Sequence, residues 1–161
     1  MTEPALTHVD AHGAARMVDV SDKVATVRSA TATGVLHTTH EVIDLLRRDG
    51  LPKGDALATA RIAGIMATKR TADLVPLCHP IAITGVTVDV SPGPDSVQIT
   101  ATVRTTDRTG VEMEALTAVA VAGLTLHDMV KAVDPAAVLD GVRVERKQGG
   151  KTGDWVRPAG R

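Results

Sequence analysis

Apolar and polar residues alternate along two runs of the chain, Ile81 to Val90 and Val97 to Thr106. In the second run Val97, Ile99, Ala101 and Val103 share one face, and Gln98, Thr100, Thr102 and Arg104 share the other. Period-two alternation of this kind predicts half-buried strands. The residues between the runs, Ser91 to Ser96, read SPGPDS and predict a turn, so the pair is a hairpin. Upstream, Thr26 to Leu36 alternates loosely and is rich in Thr, Val and Ala, which predicts an edge strand. A further strand is expected near Gly141 to Lys147, followed by a Gly-rich segment, QGGKTG.

Helical spacing fills the intervals. Thr38 or Thr39 can cap a helix running to about Arg48, with Val42, Leu45 and Leu46 on its apolar face. Asp49-Gly50 ends it, and Pro52 prevents its continuation. A second helix is expected from Gly54-Asp55 to about Arg70, with Leu57, Ala60, Ile62, Ala63, Ile65 and Met66 on a broad apolar face. The segment ADLVPLCHP, Ala72 to Pro80, holds two prolines and is not expected to be regular helix. Gly110 to Ala132 reads as one long helix. Glu112 and Glu114 lie in its first turn, where negative charge suits the helix dipole. Thirteen residues follow, Ala115 to His127, without a formal charge unless His127 is protonated, and then Asp128 and Lys131 share one face. On an ideal helix Glu114 and Asp128 point within about 40° of each other and stand roughly 21 Å apart. The apolar middle is expected to be buried on most sides.

The order strand, two helices, strand, strand, helix, strand is the split βαβ pattern. It predicts an α+β fold, a ferredoxin-like antiparallel sheet with helices packed on one face. The 161 residues suffice for one domain with a real core. Residues 1–16 are read as a flexible tail, 17–153 as the single domain and 154–161 as a C-terminal tail.

Composition narrows the function. The chain has no Phe or Tyr and one Trp, so Ala, Val, Leu, Ile and Met must build the core. Small side chains bury little area each, which points to subunit contacts that complete it. Few aromatics also argue against a stacking platform for single-stranded nucleic acid. A net charge of −1 gives no global attraction to nucleic acid or an anionic membrane. One cysteine, Cys78, excludes an intrachain disulfide and fits a reducing compartment. The N-terminus lacks the basic and apolar regions of a secretory signal, and no segment is expected to be apolar enough for long enough to span a membrane.

Several constellations are candidates for chemistry. Lys53, Arg61, Lys69 and Arg70 spread basic groups along the second helix, a pattern that by itself favours solvated charge over a site. Cys78-His79-Pro80 offers a nucleophile with a base, or metal ligands. No second Cys or spaced His pair completes a zinc set, so a packed loop is favoured over a metal site. Gly150-Lys151-Thr152 resembles the end of a P-loop, but Glu145 stands where the first glycine belongs and the loop follows the last strand. An ordinary nucleotide-triphosphatase is therefore rejected, although Lys147, Lys151 and the Gly-rich amides still suit an anion. Asp128 and Lys131 are either a plain ion pair or a tuned acid–base pair, and spacing does not choose between these.

Taken together, MVDVSDK, Lys53-Gly54-Asp55, ARIAGIMATK, LVPLCHP, TGVEMEALTAV, DMVKA and GGKTG carry a resemblance. In their order and spacing, over about Met17 to Gly153, the chain resembles the cyclic pyranopterin monophosphate synthase family, MoaC, of molybdenum-cofactor biosynthesis. It departs from that family's usual residues at Arg108 (usually Lys), Val130 (commonly Cys) and Thr152 (usually Ser).

The resemblance implies a 3′,8-cyclised dihydroguanosine triphosphate as substrate, made by an upstream radical enzyme, and a lyase that releases diphosphate. It implies Asp128 and Lys131 as the central catalytic pair and Lys53 as a second essential lysine. It implies substrate binding by Leu77, Cys78 and His79 and by Met113 and Glu114, with Arg28, Lys69, Lys147 and Lys151 as basic positions around the triphosphate. No metal and no redox cofactor is implied. The family's assembly is a cytoplasmic homohexamer, a trimer of dimers with sites at subunit interfaces. Two other classes remain: a binding module that senses a nucleotide and does not need Asp128, and a structural assembly protein whose helix charges set an interface.

Overall fold

A computed structural model of the chain describes residues 7–48, 50–51 and 55–160. Asp49, Pro52, Lys53 and Gly54, to which helix-ending, helix-starting and catalytic roles were assigned above, lie outside the described residues. The elements run β1 (Thr26–His37), α1 (His40–Arg47), α2 (Ala56–Thr68), α3 (Thr71–Leu74), β2 (Ile83–Pro92), β3 (Ser96–Asp107), α4 (Glu112–Val130), β4 (Val138–Gln148) and β5 (Trp155–Val156). The sheet order is β2-β3-β1-β4-β5, and every pairing is antiparallel. Strands β1 and β2 run parallel with β3 between them, and β3 and β4 run parallel with β1 between them. These two split crossovers place the helices on one face, as the element order predicts.

The helix caps follow the sequence chemistry. The Thr39 side chain accepts from the Val42 amide at the start of α1, and the Asp55 side chain accepts from the Ala58 amide at the start of α2. The Gly50 amide closes α1 onto the Leu45 carbonyl at 2.8 Å. One face of the sheet, with Ala30, Ala32, Leu36, Val97, Ile99, Ala101 and Val103, packs under α4 and α2. Close approach depends on small residues. A Cβ on Gly123 would overlap the side chain of Leu139 on β4, so only glycine lets α4 sit this near that strand.

Five expectations need correction. First, β1 lies between β3 and β4 in the sheet and is not an edge strand. Its loose alternation arises because Thr31 and Thr33, on the face away from the helices, satisfy their hydroxyls with Thr102 and Glu145. Second, α2 does not bury Ile62 and Met66, which are 57% and 61% exposed. Its inward face is the small set Ala56, Ala60, Gly64 and Ala67, which allows close packing on α4. Third, one turn of helix, α3, enters the start of Ala72 to Pro80 and stops before Pro76, whose predecessor Val75 is extended. Fourth, α4 is by length and composition apolar enough to cross a membrane, with a mean hydropathy of 1.3 over its best window. It is instead a core helix, with Ala115, Ala118, Val119, Ala122 and Leu126 fully buried against the sheet and α2. Fifth, β5 was not expected. Trp155 and Val156 pair with Lys147 and Arg146 of β4, and the Arg157 guanidinium lies 5.6 Å from the Trp155 ring.

Candidate functional site

Two adjoining cavities open around the N-terminal end of α4. The larger, about 410 Å³, is lined among others by Leu77, Cys78, His79, Met113 and Glu114. Both sequence segments expected to bind substrate therefore meet in one place. Pro76 and Pro80 bracket the first segment, and a turn from the Cys78 amide to the Val75 carbonyl, 3.0 Å, sets its course after α3. The second segment is the first turn of α4. The stretch before β1 closes the cavity with Val18, Val20 and Lys23. The Ser21 hydroxyl and then its amide hold the Asp19 carboxyl below its ordinary pKa, and nearby His79 adds a smaller part.

Glu114 is the chemically unusual member. It is 3% exposed, and its Oε2 has no hydrogen-bond partner among the described residues. Burial pushes its pKa from the ordinary 4.5 up to about 7, its own backbone amide opposes the rise, and the Glu112 charge adds to it. The Cys78 thiol is also pushed up, by burial first and then by Glu114. A raised thiol is a poor source of thiolate. Cys78 thus suits ligand contact better than the nucleophilic role its pairing with His79 left open.

The raised Glu114 pKa has a consequence for stability. In the unfolded chain this carboxyl ionises near 4.5, and in the folded protein near 7. Between those values the folded state holds the extra proton. Its contribution is complete below the unfolded pKa and fades as pH rises through the folded one. We predict that wild-type stability falls between pH 5 and pH 8 relative to Glu114→Gln, by about 3 kcal/mol at most. Denaturant midpoints of both proteins across that range check this, and parallel profiles would refute it.

The second cavity, about 160 Å³, shares Lys23, Thr109, Gly110 and Glu112 with the first. Arg28, Arg108, Lys147 and the loop residues Gly149, Gly150 and Thr152 complete its cationic wall. Arg28 is anchored by its Nε donating to the Asp107 carbonyl at 3.0 Å. Its guanidinium lies against Gly150, where a Cβ would collide with it, and Gly149 and Gly150 have φ of +83° and +82°. The Lys147 ammonium reaches Glu112 at 3.4 Å and Thr152 Oγ1 at 3.2 Å. The arrangement presents clustered positive charge and Gly-rich backbone beside a half-apolar cavity, which suits a ligand with an organic body and a polyanionic tail.

The remaining expected residues lie elsewhere. Lys69 lines a third cavity of about 460 Å³ with Ile65, Ile83 and Val86, which shares only Ile81 with the first. Lys151 is exposed on the Gly-rich loop and does not line the second cavity as its neighbours do. Asp128 and Lys131 form an ion pair of 2.7 Å, each side chain 53% exposed, at the opposite end of α4 and outside all three cavities. Lys23, Arg108 and Glu112 were not chosen as site residues, yet each stands within or beside a block that carried the resemblance. Lys23 ends MVDVSDK, Arg108 precedes TGVEMEALTAV and Glu112 stands inside it.

Residues 17–150 match the MoaC family. The chain is similar to the cyclic pyranopterin monophosphate synthase of Streptomyces coelicolor, at 66% identity over 94% of this chain and 89% of the relative. It is similar to the enzyme of the same name from Nocardioides sp., at 64% identity over 95% and 96%. Cyclic pyranopterin monophosphate synthase 2 of Mycobacterium tuberculosis is 62% identical over 94% and 91%. With the family matched over residues 17–150 and these relatives aligned over 89–96% of their own length, this chain belongs to the MoaC family.

Proposed function

We propose that this protein is a cyclic pyranopterin monophosphate synthase of molybdenum-cofactor biosynthesis, a lyase. It takes (8S)-3′,8-cyclo-7,8-dihydroguanosine 5′-triphosphate, supplied by a radical enzyme, and releases cyclic pyranopterin monophosphate and diphosphate. The observation that carries this reading is the 62–66% identity to synthases over 94% of the chain. The cavities support it, because the segments the family uses for its substrate converge on one apolar pocket with a cationic annex. The guanine-derived imidazole ring opens, a pterin ring closes, and a sugar oxygen takes the α-phosphorus as diphosphate leaves. These steps need several proton transfers and neutralisation of a leaving polyphosphate. In this reading Leu77, Cys78, His79, Met113 and Glu114 hold the ring system. Arg28 and Lys147, with Lys69 and Lys151 from further out, meet the phosphates. Asp128, Lys131 and Lys53 move protons. Incubation with the cyclised nucleotide tests the proposal: pterin product and diphosphate are expected, and recovery of unchanged substrate would contradict it.

We place the complete site between two copies of the chain. Within one protomer Asp128 and Lys131 stand a helix length from Glu114, roughly 21 Å. The outward face of α4 carries Met113, Leu116, Ala120 and Leu124, the last 63% exposed, and this stripe runs into Asp128. Two such stripes packed antiparallel bring Glu114 of one copy near Asp128 of the other, and a twofold axis makes two equivalent sites. Assembly into a hexamer of such dimers, working in the cytoplasm with Cys78 reduced, belongs to the same proposal.

Cationic capture of the triphosphate also predicts a salt response. Lys147 is about one-third exposed, so its charge is partly screened by mobile ions. Apparent affinity for the nucleotide is expected to fall severalfold between about 0.05 and 0.5 M salt, read by calorimetric titration. Affinity that does not change over this range would argue against the cationic annex as the phosphate site.

A further inference from the structure

Among the described residues, Glu112 is the only carboxylate lining the second cavity, where Lys23, Arg28, Arg108 and Lys147 supply four cationic side chains. Its carboxylate faces the Lys147 ammonium at 3.4 Å. Space for it comes from Gly110, where any Cβ would overlap the carboxylate group. Glu112 lines the larger cavity as well, and its side chain is not enclosed, so it has room to turn away from Lys147. Arg28 is different, because the Asp107 carbonyl fixes its guanidinium in place.

We propose that the Glu112 carboxylate is a built-in stand-in for a ligand oxyanion. It occupies Lys147 until a phosphate group of the ligand displaces it toward the larger cavity. This rests on the phosphate-binding reading of the second cavity. An arriving phosphate meets Arg28 already positioned but must exchange with Glu112 for Lys147. The exchange replaces one anion by another on the same ammonium, so the net gain from that contact is small. Lys147 is kept neutralised between ligands, and a departing polyphosphate meets a carboxylate ready to take its place. Glu112 therefore tempers affinity for polyphosphate and aids its release.

The test is calorimetric titration of the full-length protein with inorganic tripolyphosphate and with diphosphate. Wild type, Glu112→Gln and, as a control, Arg143→Gln are compared at low salt; Arg143 lies on β4, pairs with Glu145 at 2.7 Å and does not line the second cavity. Glutamine keeps the size of the side chain and removes its charge. Glu112→Gln is expected to bind both anions about threefold tighter or more, a size set by the loss of one partly exposed ion pair. Arg143→Gln is expected to match wild type. Unchanged or weaker binding by Glu112→Gln, with tripolyphosphate binding normally to wild type, overturns the stand-in role and leaves the phosphate site intact. No binding of tripolyphosphate to wild type removes the phosphate reading of the cavity and this proposal with it, whereas nucleotide conversion is judged separately by product formation. A measurement free of variants uses wild-type protein carrying carbon-13 glutamate. The Glu112 carboxyl resonance is expected to shift on saturation with tripolyphosphate, and a resonance that stays in place overturns the proposal.

Discussion

Asp128→Ala and Lys131→Ala are each expected to lower turnover of the cyclised nucleotide by at least about a hundredfold while the protein stays folded. The size follows from the removal of a proton-transfer group. The two side chains form a 2.7 Å pair at the end of α4, half exposed and outside the core. Their loss therefore creates no cavity, and melting temperature is expected to change little. Lys53→Ala is expected to behave alike on the strength of the family motif. Steady-state turnover, with circular dichroism as the check on folding, reads all three. A folded Asp128→Ala protein with near-normal turnover would withdraw the catalytic role, and unimpaired nucleotide binding in that variant would favour a sensing module.

Mixing two inactive variants is expected to restore activity. One carries Met113→Ala with Glu114→Ala, the other Asp128→Ala. If each working site takes Met113 and Glu114 from one copy and Asp128 from another, a mixed dimer holds one site with every defect and one intact site. Random exchange then returns about a quarter of the wild-type sites, because half the dimers are mixed and each has one good site of two. The outward stripe of Met113, Leu116, Ala120 and Leu124 leading to Asp128, with Met113 and Leu124 exposed and the other two half-buried, motivates this arrangement. No recovery after subunit exchange has been confirmed by mass spectrometry would put both segments' working copies in a single chain.

The parts of the fold that were legible in the sequence are those governed by local chemistry. The β2–β3 hairpin follows from alternation around SPGPDS, α1 starts at Thr39, one of its two candidate caps, and α2 starts near Gly54-Asp55 as the sequence predicts, with Asp55 as its cap. The antiparallel sheet with helices on one face followed from the sequence of elements, because split crossovers leave few choices, but the strand order did not. What failed depends on partners distant in the chain. The position of β1 inside the sheet is hidden because its Thr residues look exposed until Thr102 and Glu145 are placed beside them. The inward face of α2 is hidden because Ile62 and Met66 outrank Ala60 and Gly64 in hydrophobicity. Close approach to α4 nevertheless favours the small residues. Two residues are not enough to announce β5, which forms only because β4 offers it an open edge.

The site divides along the same line. Leu77, Cys78, His79, Met113 and Glu114 were named from motifs, and they do converge on one cavity. Arg28 and Lys147 meet in the adjoining one. Neither spacing nor motif indicated that Glu114 is buried with an unpaired oxygen, since that follows from the packing of α4 on the rest of the fold. The ion pair of Glu112 with Lys147 likewise links residues far apart in sequence and near only when β4 lies beside the start of α4.

The central claim is that one protein both closes the pterin ring and expels diphosphate. The most direct measurement is the mass balance of a single incubation with the cyclised nucleotide, in which pterin, diphosphate and orthophosphate are each quantified. One diphosphate per cyclic pyranopterin monophosphate, without orthophosphate, is the predicted result. Phosphate release without pterin, or substrate recovered whole, would contradict it.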